Sequence, residues 1–340
     1  MHEQRKSDHI RINLEEDINF RTLTTGLEDY HFLHQALPEI DLARVDTSVS
    51  LFGKRLKAPL LISSMTGGTE QAANINRTLA EAAEARGIAM GLGSQRAAIE
   101  DPSLSNTFQV RSLAPTTVLL ANLGAIQLNY GYTVEHCQRA VDMLEADALI
   151  LHFNALQEAV QPEGDTRFSG LLHQVERVCQ TLSTPVIAKE VGWGFSEDTV
   201  RRLIEAGISA VDVAGAGGTS WSQVEMYRAK TDIQRRVAAT FVDWGISTSK
   251  AILAARQAAP NTSIIASGGL RNGLDMAKCI ALGATVGGMA GPFLKAAVES
   301  LEAVLNQIQV TQTELRIAMF GIGVDSIAEL QQTDRLIRIN

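Results

Sequence analysis

Aromatic side chains make up only 5% of this 340-residue chain. Proteins that read single strands stack bases on aromatic rings, so nucleic-acid recognition is not expected. No uninterrupted apolar stretch approaches the ~20 residues needed to cross a bilayer, so no membrane span is expected either. The opening segment MHEQRKSDHI lacks the apolar run of a secretory signal. Cysteine is scarce: Cys137, Cys179 and Cys279 lie far apart, in stretches with helical spacing. Their positions give no paired metal-ligand spacing, and an odd count suggests reduced thiols, so a cytoplasmic location is expected. The net charge of -8 argues against general polyanion binding, which leaves any phosphate site local.

Glycine is abundant, at 27 residues, and its placement is informative. From residue 58 to about 292, short apolar runs end in glycine or small polar residues: PLLISSMTGG, GIAMGLGSQR, TVLLANLGA, ALILHFN, PVIAKEVGWG, AVDVAGAGGT, SIIASGGLR and TVGGMAGP. Near-continuous apolar strands imply a parallel sheet covered on both faces. Between them lie stretches with apolar residues at helical spacing, several opened by Ser, Thr, Asn or Asp and closed by Gly. About eight such units close a TIM (β/α)8 barrel; an open doubly wound sheet would not normally string so many in a row. The expected organisation is one domain, with an N-terminal extension (1–57), a barrel core (58–292) and a C-terminal helical segment (293–340). The connection 215–262 is unusually long, and long barrel connections often serve as lids or subunit contacts.

Barrel chemistry lies at the C-terminal strand ends, often with phosphate bound after strands seven and eight. Those ends read ASGGLRNG (266–273) and GGMAGP (287–292). Glycines admit close backbone approach, and the helix starting near Asn272 would offer free N–H groups, with Arg271 adding charge. The bland alternative is a pair of ordinary glycine turns. SSMTGGT after strand one, Asn122 after strand three and Lys189 after strand five could line a flat ring system, and a lysine there favours an anionic reduced flavin. Otherwise Lys189 is a structural ion-pair partner, for example of Glu190.

The segment HFNALQEAVQPEGD (152–165) ends an apolar strand in polar groups. His152 and Asn154, two apart, point the same way in extended chain. Glu158 offers the hard oxygen that Mg²⁺ takes together with substrate phosphates. Gln157 could hold or relay a proton, whereas Glu163 reads as a loop carboxylate. In GLGSQR, Ser94 and Arg96 could clamp an oxyanion. Arg5, Lys6 and His9 sit on a basic arm that, taken alone, reads as a solvated tail.

In order and in sequence, RKSDHIRI, SMTGGT, GLGSQR, NLGA, HFNALQEAVQPEGD, VIAKEVGWG, DVAGAGGTSW and SGGLRNGLD resemble type 2 isopentenyl diphosphate isomerase, across almost the whole chain. The resemblance implies a flavoenzyme that interconverts isopentenyl and dimethylallyl diphosphate without net redox. It implies reduced FMN as the active cofactor, NADPH as reductant, Mg²⁺, and a homo-oligomer, tetramer or octamer. It implies diphosphate contacts from Arg5, Lys6 and His9, and further substrate contacts from Ser94, Gln95 and Arg96. His152, Asn154 and Gln157 would line the substrate side as catalytic residues, and Glu158 would hold the metal. Flavin contacts would come from Ser64, Met65, Thr66, Gly67, Ser94, Asn122, Lys189 and Thr219, and phosphate contacts from Gly269, Leu270, Arg271, Ala290 and Gly291. Ala214 stands where serine is common in the family, and the arm lacks acidic residues directly after Lys6. The competing reading is an FMN-dependent 2-hydroxy acid dehydrogenase or oxidase, which needs a histidine base near strand seven; SIIASGGLR has none. A flavin-binding protein without catalysis would keep the glycines but would not need Arg96, His152, Gln157 and Glu158.

Overall fold

The computed structural model describes residues 2–339 and, for residues 2–5 and 7, the backbone alone. Its centre is a closed parallel barrel whose strands we label β1 (Leu60–Ile62), β2 (Ala89–Gly91), β3 (Leu119–Gly124), β4 (Ala148–Phe153), β5 (Val186–Glu190), β6 (Ala210–Asp212), β7 (Ser263–Ala266) and β8 (Val286–Met289). Each strand pairs with its sequence neighbour and β8 closes on β1 through Gly288 opposite Leu61. All eight fall within the apolar runs read from the sequence.

Side chains alternate in and out along each strand. The inward set of Leu61, Ala89, Leu120, Ile150, Ile187, Ala210, Ile265 and Val286 forms its own buried cluster, floored by Leu51 and Leu56 of a hairpin from the N-terminal extension. The outward set, including Ile62, Leu149 and Leu151, packs against the surrounding helices as the larger core. Two residues beyond the inward apolar layer stand Ser63, Asn122, His152, Lys189, Asp212 and Ser267. The interior therefore turns polar one layer higher, at the strand ends where the cavity opens.

The extension wraps the barrel rather than trailing from it. Residues 2–15 form a helix, where the sequence alone suggested a solvated arm; it lies against the helix Trp221–Arg228. Tyr30–Phe32 pairs antiparallel with Leu336–Arg338, joining the N-terminal extension to the C-terminal segment. Asp243, in the long connection, accepts from the backbone N–H of Arg21 (2.7 Å) and Thr22 (3.0 Å). The connection itself is largely helical, and Leu301–Gly321 packs on the helices Glu70–Arg86 and Gly273–Ala281. Among the described residues, no helix is long and apolar enough to cross a membrane.

Candidate active site

A cavity of about 380 Å³ opens at the C-terminal strand ends, roofed by residues from the first helix and by Trp221. Apart from Arg5, Gly67 and Gln95, every residue singled out from the sequence as a site residue lines it. The Arg5 side chain lies outside the described residues. Gly67 sits behind the wall, where an added Cβ would fall 2.0 Å from the Phe108 ring. Gln95 requires a correction: it is fully buried and turned away from the cavity. Its Nε2 donates to the Ala140 carbonyl (2.8 Å) and its Oε1 accepts from Asn122 N (2.9 Å), so it braces the barrel wall. The cause is local: the chain leaves the extended form and a short helix starts at Arg96, which rotates Gln95 outward.

One end of the cavity is built from backbone. An added Cβ on Gly268 would lie 2.0 Å from the Gly215 carbonyl oxygen, and one on Gly218 would lie 2.5 Å from Gly269 N. The two glycine segments thus pack main chain on main chain, and Thr248 Oγ1 donates to the Gly268 carbonyl to hold them (2.6 Å). The sequence suggested free N–H groups on the helix after Asn272, and the structure corrects this. Gly273 N donates to Glu314 (2.7 Å) and Asp275 N to the Asn272 cap (2.8 Å). The nine-residue helix Gly291–Glu299 has no such side-chain cap, and a Cβ on Gly291 would meet open space. Its N-terminus, with the positive end of its dipole, is the better phosphate seat. The hydroxyls of Ser63 and Ser64 are buried in the cavity wall without a partner, as polar groups awaiting a ligand are. These features fit a phosphate-bearing ring cofactor such as FMN.

Lys189 is not paired with its neighbour Glu190. Its Nζ lies 2.8 Å from Asp212 Oδ2, and Ser267 donates to the other Asp212 oxygen (2.6 Å). Glu190 instead turns one oxygen to the backbone N–H groups of residues 191–194, at 2.5 to 3.1 Å. Burial pushes its carboxyl up to about 7 despite those four donors.

The opposite end is charged. Lys6 Nζ donates to the Ser94 carbonyl (2.9 Å). Arg96 binds Glu100 (2.8 Å) and Asp165 (3.0 Å). Glu158 accepts from Asn154 Nδ2 (2.8 Å), Gln161 Nε2 (2.6 Å) and Asp165 N (2.6 Å). All three donors are neutral, so none of them compensates the carboxylate charge. Asn154 Oδ1 and Gln161 Oε1 are buried with no partner of their own. Among the described residues there is no cluster of three His, Cys, Asp or Glu able to hold a metal. One carboxylate beside two idle amide oxygens fits Mg²⁺, which completes its octahedron with water and substrate phosphates.

Between the two ends, hydrogen bonding fixes the orientation of two catalytic candidates. Gln157 faces Glu225 at 3.1 Å and a carboxylate only accepts, so Nε2 is on that side and Oε1 is toward Asn154 (3.3 Å). His152 Nδ1 lies 2.8 Å from Asn122 Oδ1, which likewise places the proton on Nδ1. Burial alone would raise the Glu225 carboxyl, but His9 (3.2 Å), Arg228 and Gln157 outweigh it and hold it below the usual range. Glu225, Asp212, Asp165 and Gln161 were not singled out from the sequence. Asp212 carried a signal, since it stands two residues beyond inward-facing Ala210; Glu225, in the long connection, carried none.

The family model described as FMN-dependent dehydrogenase matches residues 2–112 and 133–337. The isopentenyl-diphosphate delta-isomerase of Nostoc sp. is 52% identical over 337 residues, covering 99% of this chain and 96% of that protein. The protein of the same name from Synechocystis sp. is 53% identical over 328 residues, covering 96% and 94%. Among solved structures, a putative lactate oxidase from Pediococcus acidilactici superposes with TM-score 0.70 at 16% identity, over 99% of this chain and 93% of its own, a likeness of fold alone. The chain belongs to the FMN-dependent dehydrogenase family and, within it, to the isopentenyl-diphosphate delta-isomerases.

Proposed function

We propose that the chain interconverts isopentenyl and dimethylallyl diphosphate by moving a double bond one carbon, with no net redox. The observation that carries this reading is the single cavity with two anion-directed ends. One end is a glycine and helix-terminus seat; the other joins Lys6 and Arg96 to an uncompensated Glu158. A ring cofactor with a phosphate tail suits the first and a diphosphate substrate with Mg²⁺ suits the second.

In this reading Lys6, Arg96 and His9 bind the diphosphate, joined by Arg5. Glu158, with the amide oxygens of Asn154 and Gln161, holds Mg²⁺. Ser64, Met65, Thr66, Ser94, Asn122, Lys189 and Thr219 hold the ring, and residues 269–271, 290 and 291 hold its phosphate. When bound, reduced FMN would supply the proton-exchange chemistry. Gln157, with its amide direction fixed by Glu225, orients the allylic unit and the water near it, and His152, held through Nδ1 by Asn122, lines the same cavity. Preorganised dipoles of this kind generally give the largest rate term. NADPH would serve as the reductant of the flavin and would not be consumed in turnover. The extension, barrel and C-terminal segment act as one domain that assembles into a cytoplasmic homo-oligomer, a tetramer or octamer.

The 2-hydroxy acid oxidase reading lacks its base, because the end of β7 carries Ser267, Gly268 and Gly269 where a histidine would be needed. The test is proton NMR of isopentenyl diphosphate in D₂O with protein, FMN, Mg²⁺ and excess reductant under anaerobic conditions. Deuterated dimethylallyl diphosphate with no stoichiometric NADPH loss is the expected result. An inert substrate under full flavin reduction refutes the assignment and turns attention to 2-hydroxy acids.

A further inference from the structure

Asp212 is fully buried and does not reach the cavity, whereas Lys189 and Ser267 both do. Lys189 on β5 and Asp212 on β6 are register partners, so both side chains rise from the same level of the barrel interior. The ammonium lies 2.8 Å from Asp212 Oδ2 and 3.3 Å from Ser267 Oγ. Ser267 gives its one proton to Asp212 Oδ1 (2.6 Å), which turns a lone pair toward the lysine. Two of the three ammonium N–H bonds are thereby committed on the buried side, and the third is left for the cavity. The other titratable groups nearby are engaged elsewhere: His152, the register partner on β4, bonds to Asn122, and Glu190 is bound by the backbone of 191–194.

A buried ion pair is poor value as a structural device, since apolar residues of similar volume often do as well or better. Its presence at a cavity wall calls for a reason of another kind. A long, flexible lysine side chain holds one direction only where fixed acceptors take its N–H bonds. Resting on the reading that this cavity holds FMN, we propose that Asp212, steadied by Ser267, is the positioning residue that holds the Lys189 ammonium and aims it at the flavin, so that the site favours the reduced, anionic ring. Without the carboxylate, the ammonium loses its anchor on the buried side and is no longer held toward the cavity.

The test is the midpoint potential of bound FMN, which needs no turnover, together with separate affinities for oxidised and reduced FMN. Asp212→Asn lowers the affinity for reduced relative to oxidised FMN about tenfold, a fall of about 30 mV for this two-electron couple. Lys189→Met lowers it at least as far. The double variant falls no further than Lys189→Met alone, because Asp212 acts through the lysine. An unchanged or raised potential in Asp212→Asn, with Lys189→Met lowered, overturns the proposal and leaves the flavin reading standing. An unchanged potential in Lys189→Met, or no FMN binding by the unaltered chain, sinks the flavin reading itself. If Asp212→Asn does not fold, Ser267→Ala decides: a smaller fall of the same sign supports the proposal, and no change overturns it.

Discussion

Replacing Gly164 by alanine separates the two halves of the charged end of the cavity. A Cβ at this position would fall 1.8 Å from the Glu158 carbonyl oxygen and 2.6 Å from its carbonyl carbon. Relief to an ordinary contact of roughly 3.4 Å moves the 161–165 loop by about 1.6 Å. That is more than the bond from Asp165 N to Glu158 Oε2 can absorb from 2.6 Å, and the Arg96–Asp165 pair at 3.0 Å goes with it. A hydrogen bond to a charged group contributes about 1.5–3 kcal/mol and overpacking costs about 1–3, so stability should fall by roughly 2–4 kcal/mol if the loop partly relaxes. The functional loss should be larger than the stability loss suggests, because misplacing a binding group by about an ångström can cost ~10²-fold in rate. The assay is kcat/KM against Mg²⁺ concentration, with urea unfolding alongside. The expected outcome is a kcat/KM about two orders of magnitude lower and a Mg²⁺ midpoint shifted up. Gly321→Ala, where nothing lies within 4 Å, serves as the neutral control. Wild-type Mg²⁺ dependence in Gly164→Ala would refute the link drawn between this loop and the metal carboxylate.

Three further outcomes follow from the same geometry. Glu158→Gln should abolish Mg²⁺-dependent turnover by at least 10²-fold and leave FMN bound with its usual absorbance; loss of the flavin would mean that this residue belongs to the other end of the cavity. Gly268→Ala, at φ +104 and with no room against Gly215, should weaken FMN binding at least tenfold in a fluorescence titration, while substrate-analogue binding changes little. Glu190, pushed up to about 7 by burial from an ordinary 4.5, keeps a proton in the folded chain that the unfolded chain releases. Its contribution is complete below about pH 4.5 and fades as pH rises through 7, by about 3 kcal/mol. Glu190→Gln should flatten that stretch of the thermal-stability profile, and an unaltered slope would count against it.

The barrel was legible because its code is local. Each apolar run is short and β-rich, several lead into a helix with a side-chain cap, and the period of two in a strand carries over directly to which side chain faces in. Applied strictly, that period reads further than it was taken: Ile150, Ile187 and Ala210 point inward, so His152, Lys189 and Asp212 must do so one layer up. His152 and Lys189 also stand out for their chemistry, whereas Asp212 is marked by the period alone. The same reasoning failed at Gln95, where a helix starting at the next residue breaks the alternation. The first helix was hidden for a different reason. Its polar sequence buries Ile10 and Ile12 but offers no apolar stripe, and its partners are distant in the chain: Glu225 for His9 and the Ser94 carbonyl for Lys6. The roof of the cavity is therefore made by contacts across some 90 to 215 residues of sequence. Walls built from one strand and its turn can be read from spacing, whereas a roof joined by side-chain hydrogen bonds between remote segments has no period to read. This is why Glu225, which fixes the direction of the Gln157 amide, emerged only with the fold.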